Sequence, residues 1–155
     1  ASIMLHDMLR RILRNMDLSE NEIDESIYDA MLLSVDVAHA LHPNKKEKLD
    51  ITNKPVMGKG FCIKQACSQS YATDAQAIAI LCQLCDEKGI PYQRFVNRSD
   101  SRGGSTLGSI AGTLLPVKTV DIGIPILAMH SACELMGVRD MKALSDCVTA
   151  FFGYH

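Results

Sequence analysis

Amphipathic helical patterns alternate with short apolar runs along this chain of 155 residues, and the alternation limits the folds available to it. Residues 3–16 repeat apolar positions at helical spacing, with arginines between them, and predict a first helix. Runs typical of buried strands occur at 31–36, 61–64, 92–97 and 117–122. The helical segments are long enough to connect parallel strands. The pattern predicts a single α/β domain over residues 1–155, built as a three-layer αβα sheet.

Capping signals give several helix boundaries. Ser19 followed by Glu22 forms a capping box, which predicts a helix running to about Asp29. The segment 73–76 is a second box and predicts a helix that ends at Gly89. Two further helices are expected, one after the glycine-rich turn 103–106 and one over about 141–152.

Charge and cysteine usage exclude several classes of function. A net charge of -2 gives no electrostatic basis for binding nucleic acid or a membrane surface. No apolar run approaches the length needed to span a bilayer. The six cysteines are scattered through apolar segments and accompany eight methionines, a usage typical of a reducing interior. We therefore expect a cytoplasmic protein without a disulfide framework.

Thiol chemistry remains an alternative at this stage. Cys82 and Cys85 have the spacing of a redox motif. They fall inside a predicted helix, however, whereas a reactive thiolate is stabilised at a helix N-terminus, so we interpret the pair as structural. Cys133 follows His130 by three residues, which leaves a cysteine–histidine nucleophile open.

The stretch 34–44 contains the densest group of side chains that could form a functional site. It places Asp36, His39 and His42 where an apolar run gives way to a turn, and sites in α/β sheets form at the carboxyl ends of strands. Turn capping by Asp36 explains the pattern equally well. His130 follows a second apolar run, and an aspartate with a histidine makes a partial zinc shell. A catalytic zinc usually takes three protein ligands.

The same stretch, Ser-Val-Asp-Val-Ala-His-Ala-Leu-His-Pro-Asn, resembles the signature S-x-D-x-A-H-A-x-H-P-N of the aspartyl aminopeptidase family of dinuclear zinc exopeptidases, which includes vacuolar aminopeptidase I. Further matching blocks lie in the family's order at 54–55, 60–64, 69–74, 104–110, 119–123, and 128–131 with Glu134. The resemblance covers most of residues 30–137. It implies a three-layer sheet of the zinc-exopeptidase type and a zinc-dependent aminopeptidase acting on peptides.

The resemblance also implies individual roles. Asp36 and His130 would be zinc ligands, one for each metal of a pair, and His39 would lie near the substrate and stabilise the tetrahedral intermediate. Lys64 and Tyr71 fall where the family places residues that contact substrate. A carboxylate and imidazole shell also admits cobalt or manganese in place of zinc. The family further implies a homo-oligomer.

Several family features have no counterpart here. The His-x-Asp segment, the bridging aspartate and the Glu-Glu pair with the general base do not occur, and Cys133 stands where many relatives carry arginine. The chain thus resembles the C-terminal portion of the catalytic domain, in agreement with a helix that starts almost at residue 1. We expect the isolated chain to bind zinc weakly and to hydrolyse nothing. The alternative is a non-catalytic scaffold or assembly fragment, with residues 3–16 as an apolar interface.

Overall fold

A mixed sheet of five strands lies between helices in the computed structural model, which describes residues 3–101 and 103–153. The strands are β1 Met31–His39, β2 Phe61–Gln65, β3 Tyr92–Val96, β4 Lys118–Leu127 and β5 Leu135–Met136. The helices are α1 Met4–Asn15, α2 Glu20–Asp29, α3 Ala75–Lys88, α4 Leu107–Leu114 and α5 Val138–Phe152, with a single 3-10 turn at Lys46–Lys48. In the described part of the chain, no helix combines the length and apolar character that a bilayer crossing requires.

The strand order is β1-β4-β2-β3, with β5 paired to the end of β4. The pairs β1–β4 and β2–β3 are parallel, as the alternating pattern predicts. The expectation of parallel strands is wrong between β2 and β4, which run antiparallel. The reason lies in the segment 40–60, because its only helical element is the short 3-10 turn. Without a helical crossover, nothing requires β2 to run in the direction of β1.

The capping signals give two correct boundaries and one that is off by a residue. Ser19 caps α2 through the predicted box, since its side chain accepts from the Glu22 amide and Glu22 bonds back to the Ser19 amide. Helix α3 is capped by Asp74, whose carboxylate accepts from the Ala77 amide at 2.8 Å, so the predicted box over 73–76 is wrong in its details. Gly89 ends α3 in the left-handed conformation, as predicted.

The main core lies between one face of the sheet and the pair of helices α3 and α5. All five residues predicted for the inner face of α3 are buried: Ala77, Ile78, Leu81, Leu84 and Cys85. Cys85 Sγ lies 3.8 Å from Cys147 Sγ of α5. This contact and burial raise the pKa of the Cys85 thiol, which belongs to the core rather than to a redox site.

Helices α1 and α2 pack together through a small cluster that contains Leu9, Leu13 and Ile23. Arg10 and Arg14 of α1 bind Glu20 of α2 and lower the pKa of that carboxyl to about 2, the bond from Arg14 being the larger cause. Further apolar side chains in this part of the chain are exposed: Leu5, Met8 and Ile12 on α1, and Met16 directly after it. The apolar surface expected on residues 3–16 is therefore present.

Candidate active site

The parallel pairing of β1 with β4 brings the two parts of the predicted site to one edge of the sheet. Asp36 is in register with Gly123 and His39 with Ile126, while His130 lies three residues beyond the end of β4. Strand β1 is longer than predicted and includes His39. The charge of His130 contributes to the electrostatic environment of His39, in accord with their placement at the same edge.

His130 lies in the turn between β4 and β5, and its backbone is unusual. Ala128 and His130 have φ values of 56° and 69°, a left-handed conformation that non-glycine residues seldom adopt. Ser131 N donates to the Ala128 carbonyl at 2.9 Å, and the Glu134 carboxylate accepts a hydrogen bond from His130 N. These bonds hold a strained turn that presents an exposed imidazole.

Asp36 is bound to a buried lysine that comes from a strand two places away. Lys64 of β2 reaches across β4, and its ammonium forms an ion pair with Asp36 Oδ1. The ammonium also donates to the Val37 carbonyl at 3.1 Å and lies 4.6 Å from the centre of the Tyr71 ring. The Lys64 side chain is 3% exposed, whereas that of Asp36 is 42% exposed. The carboxylate is thus open to solvent on one side and neutralised from within on the other.

A cleft of about 670 Å³ opens at the C-terminal ends of β1, β3 and β4, and neither Asp36 nor His130 belongs to its lining. Its lining includes His39, His42, Lys45, Phe95, Asn97 and Met129. The His39 ring lies 6.3 Å from the Phe95 ring, measured between centroids. Partial desolvation, followed by the charges of Lys64 and His130, lowers the pKa of His39, so its imidazole is neutral at pH 7. A neutral imidazole has one donor and one acceptor nitrogen.

Lys64 and Tyr71 are near the cleft but are not part of its lining. Both are buried, and burial, with a smaller contribution from the charges of Asp36 and Asp121, raises the pKa of Tyr71. His42 has a local role, since its Nδ1 accepts from the Asn44 amide at 3.2 Å and shapes the turn after β1. Cys133 is exposed, and among the described residues no hydrogen bond joins its thiol to His130.

Sequence reasoning missed two buried carboxylates that organise the loops around the sheet. Asp121 of β4 accepts from the Ala72 amide and from Thr106 Oγ1. Asp140 of α5 accepts from the amides of Gly58 and Gly60, each at 2.7 Å. A signal for the first was available, because a charged residue inside the apolar run 119–124 indicates a buried charge that needs partners.

The donor chemistry fits a zinc site that is incomplete within the described residues. Asp36 offers a carboxylate and His130 an imidazole, both of which zinc accepts, and the Lys64 ammonium shows that a cation is stable beside Asp36. Over residues 3–101 and 103–153, no three side chains of histidine, cysteine, aspartate or glutamate come together as a metal shell. Two such donors fall short of the three protein ligands that a catalytic zinc usually takes.

Comparison with known proteins identifies the family. The profile of the family described as aminopeptidase I zinc metalloprotease (M18) matches residues 1–152. The probable M18 family aminopeptidase 2 of Clostridium novyi is 47% identical over 139 residues, which are 90% of this chain and 32% of the relative. The corresponding protein of Clostridium acetobutylicum is 44% identical over 151 residues, 97% of this chain and 35% of the relative. The chain spans about a third of the length of these curated relatives.

Solved structures confirm the fold class. A cryo-EM structure of the Ape4 and Nbr1 complex contains a chain that matches 97% of this one with a TM-score of 0.91 and 34% identity, over 29% of its own length. The S. cerevisiae mApe1 dodecamer matches 80% of this chain with a TM-score of 0.69 and 28% identity, over 27% of its own length. An M18 aminopeptidase from Thermotoga maritima shares the fold, with a TM-score of 0.81 at 23% identity and coverage of 93% and 34%.

Proposed function

Because the chain belongs to the M18 family of aminopeptidase I zinc metalloproteases, we propose that it supplies part of the active site of a metal-dependent aminopeptidase that removes N-terminal residues from peptides. The observation that supports this most directly is the parallel register of β1 and β4. The register sets the C-terminal part of β1, with Asp36 and His39, beside the end of β4, which His130 follows by three residues. A cleft of about 670 Å³, lined in part by His39, opens there.

In this proposal Asp36 and His130 would each hold one zinc of a pair, for which cobalt or manganese could substitute. A bound pair would supply Lewis-acid polarisation of the scissile carbonyl and would activate water. Asp36 contributes the carboxylate oxygen that faces solvent, and the Glu134 carboxylate fixes the turn that presents His130. The remaining ligands and the general base come from outside these 155 residues.

His39 is proposed to stabilise the charge that develops on the carbonyl oxygen. A neutral imidazole at the wall of the cleft can donate one hydrogen bond to this oxygen without bringing a second charge next to Lys64. Lys64 and Tyr71 are proposed to contact substrate. Because both side chains are buried here, such contact requires that Lys64 leave Asp36.

Two further parts of the proposal concern the isolated chain and its assembly. We expect the chain alone to be inactive, since it carries two of the required ligands and lacks the family's general base. The S. cerevisiae mApe1 dodecamer supports a homo-oligomer. The exposed row Leu5, Met8 and Ile12 on α1 favours a second candidate function, in which the chain serves packing or assembly. The cysteine-dependent alternative has no comparable support.

The test is a chimera. The chain replaces the matching third of the Clostridium novyi relative, and release of N-terminal residues from peptides is measured for the chimera and for the chain alone. We expect chelator-sensitive activity that zinc restores in the chimera, and none in the chain.

Within the chimera, Asp36→Asn and His130→Gln are each expected to lower kcat at least about a hundredfold, since loss of groups that merely orient ligands already costs ten- to a hundredfold. Asp146→Asn and His6→Gln, exposed or peripheral residues of the same types, serve as matched controls and leave kcat unchanged. Full activity of the Asp36 and His130 variants contradicts the proposed ligands. Chelator-sensitive activity of the chain alone contradicts the proposed inactivity.

A further inference from the structure

Lys64 carries a positive charge into the interior, and its counter-ion is one of the proposed metal ligands. The ammonium is almost completely shielded from solvent, and its ionic partner among the described residues is Asp36. A buried ammonium is unfavourable unless a carboxylate neutralises it and hydrogen bonds satisfy its protons. The Val37 carbonyl and the face of Tyr71 complete this environment. The ion pair is therefore well ordered, because Asp36, the Val37 carbonyl and the Tyr71 ring together fix the position of the lysine ammonium.

The two oxygens of Asp36 have different surroundings. Oδ1 is occupied by Lys64, while Oδ2 has no hydrogen-bond partner within residues 3–101 and 103–153. The side chain is 42% exposed, so a metal can approach the carboxylate from the solvent. A divalent cation at this carboxylate comes within a few ångströms of the Lys64 ammonium. Repulsion between like charges at that separation is strong in a site that is shielded from water on one side.

We propose that Lys64 is the resident counter-ion of Asp36 and competes with the metal for this carboxylate. The inference rests on the proposed function, because it takes Asp36 as a ligand. Without metal, the ammonium neutralises Asp36 and keeps the edge of the sheet free of an unpaired charge. A bound metal would take over the neutralisation of Asp36, and Lys64 would be repelled from the carboxylate towards the cleft. The two roles of Lys64 are thus sequential: counter-ion first, contact for substrate afterwards.

The experiment compares metal affinity, without any assay of activity. Binding of Mn²⁺ to the 155-residue chain is followed by the loss of the EPR signal of the free ion, because manganese prefers carboxylate ligands and leaves the cysteines aside. The variants are Lys64→Met, which keeps the length and removes the charge, and Lys64→Gln, which also keeps a donor for the Val37 carbonyl. Each is measured with and without Asp36→Asn, so that the component of binding that depends on Asp36 is isolated.

Lys118→Met is the matched control, since it removes the same charge from the start of β4. It is five residues from Gly123, the register partner of Asp36, which corresponds to roughly 16 Å along a strand. This exceeds the screening length of about 8–10 Å at moderate ionic strength. We expect the affinity that depends on Asp36 to increase at least about tenfold in either Lys64 variant, and to change less than about twofold in the control.

Affinity in the Lys64 variants that is equal to or weaker than in the wild type overturns the inference, as does the absence of any binding that depends on Asp36. Binding that is tighter in the Lys64 variants but insensitive to Asp36→Asn instead contradicts the proposed ligand, and with it the proposed function. A second measurement covers variants that fail to fold. In the wild-type chain, the NMR signal of the shielded Lys64 ammonium is expected to shift on titration with Zn²⁺, and an unchanged signal at saturation also overturns the inference.

Discussion

Asp121 provides the sharpest test of how the buried polar groups contribute to the fold. This carboxylate of β4 is fully buried, and its Oδ2 accepts from the Ala72 amide at 2.5 Å and from Thr106 Oγ1 at 2.6 Å. Its other oxygen, Oδ1, has no partner among the described residues. Ser34 Oγ borders the same small space, because a methyl group built on Gly108 would lie 2.7 Å from it and 2.8 Å from Asp121 Oδ1.

The substitution Asp121→Asn is nearly isosteric and is expected to be almost neutral. The amide oxygen takes the place of Oδ2 and keeps both hydrogen bonds, while the amide nitrogen replaces the unpartnered oxygen in the space that Ser34 Oγ borders. Loss of charge assistance in two bonds costs about 2 kcal/mol, since such bonds are about twice as strong as neutral ones. Replacing the unpartnered buried oxygen stabilises the folded state by about 1–3 kcal/mol. The free energy of unfolding should therefore change by less than about 1 kcal/mol.

Asp121→Ala has a different expected outcome, because it leaves the Ala72 amide and the Thr106 hydroxyl buried without an acceptor. The cost is at least about 3 kcal/mol, and Thr106→Val, which removes one donor, should cost about 1–2 kcal/mol. Urea denaturation followed by circular dichroism at constant m-value measures all three. A loss of more than about 2 kcal/mol in the Asn variant refutes the reasoning, since it means that the negative charge itself stabilises the fold.

Two further predictions concern other buried groups. Asp140→Ala should lower the free energy of unfolding by about 3–5 kcal/mol in urea denaturation, because the two charge-assisted bonds from the Gly58 and Gly60 amides are lost. Asp146→Ala, on the exposed side of the same helix, should cost under about 1 kcal/mol, and equal effects of the two substitutions contradict a stabilising role of Asp140. Burial raises the pKa of the Cys62 thiol from 9.0 to about 12, with the charge of Asp140 adding to the shift and that of Lys64 opposing it. The unfolded thiol therefore loses its proton first, and stability falls between these values by up to about 1.4 kcal/mol per pH unit. Urea denaturation under reducing conditions measures the free energy of unfolding as a function of pH, and Cys62→Ala should remove its decline in this range. The exposed Cys67 provides the control, since Cys67→Ala should keep the decline. If the profiles of Cys62→Ala and the wild type run parallel, the pKa of Cys62 is not raised.

The local parts of the fold were predictable because their causes are local. Apolar spacing together with capping signals predicted the five helices of the described residues, and Ser19 and Gly89 marked boundaries through bonds that span only a few residues. The one-residue error at the start of α3 also has a local cause. Thr73 and Asp74 are both favourable N-cap residues, and the choice between them depends on which one takes the extended conformation before the helix.

The arrangement of the strands was less predictable because pairing depends on distant segments. The short β5 consists of two residues and has no period to recognise. Two apolar runs merge into the single strand β4, since Pro125 remains compatible with pairing to β1 and does not end the strand. Strand β2 runs antiparallel to β4 because the connection from β1 to β2 contains no crossover helix. The apolar run of β2 does not by itself specify the direction of the strand.

In the candidate site, too, the residues of one short motif were predictable, whereas the contacts that depend on strand order were not. Asp36 and His39 were predicted because they lie together in one short stretch, and the pairing of β1 with β4 explains how His130 joins them. Lys64 interrupts an apolar run, which indicates a buried charge with a carboxylate partner. The chain has 18 acidic residues, however, and only the strand order β1-β4-β2 selects Asp36 among them. The proposed role of Asp36 as a ligand therefore depends on a strand that its own motif does not specify, and under this proposal a change in β2 should alter metal binding as strongly as a change next to Asp36.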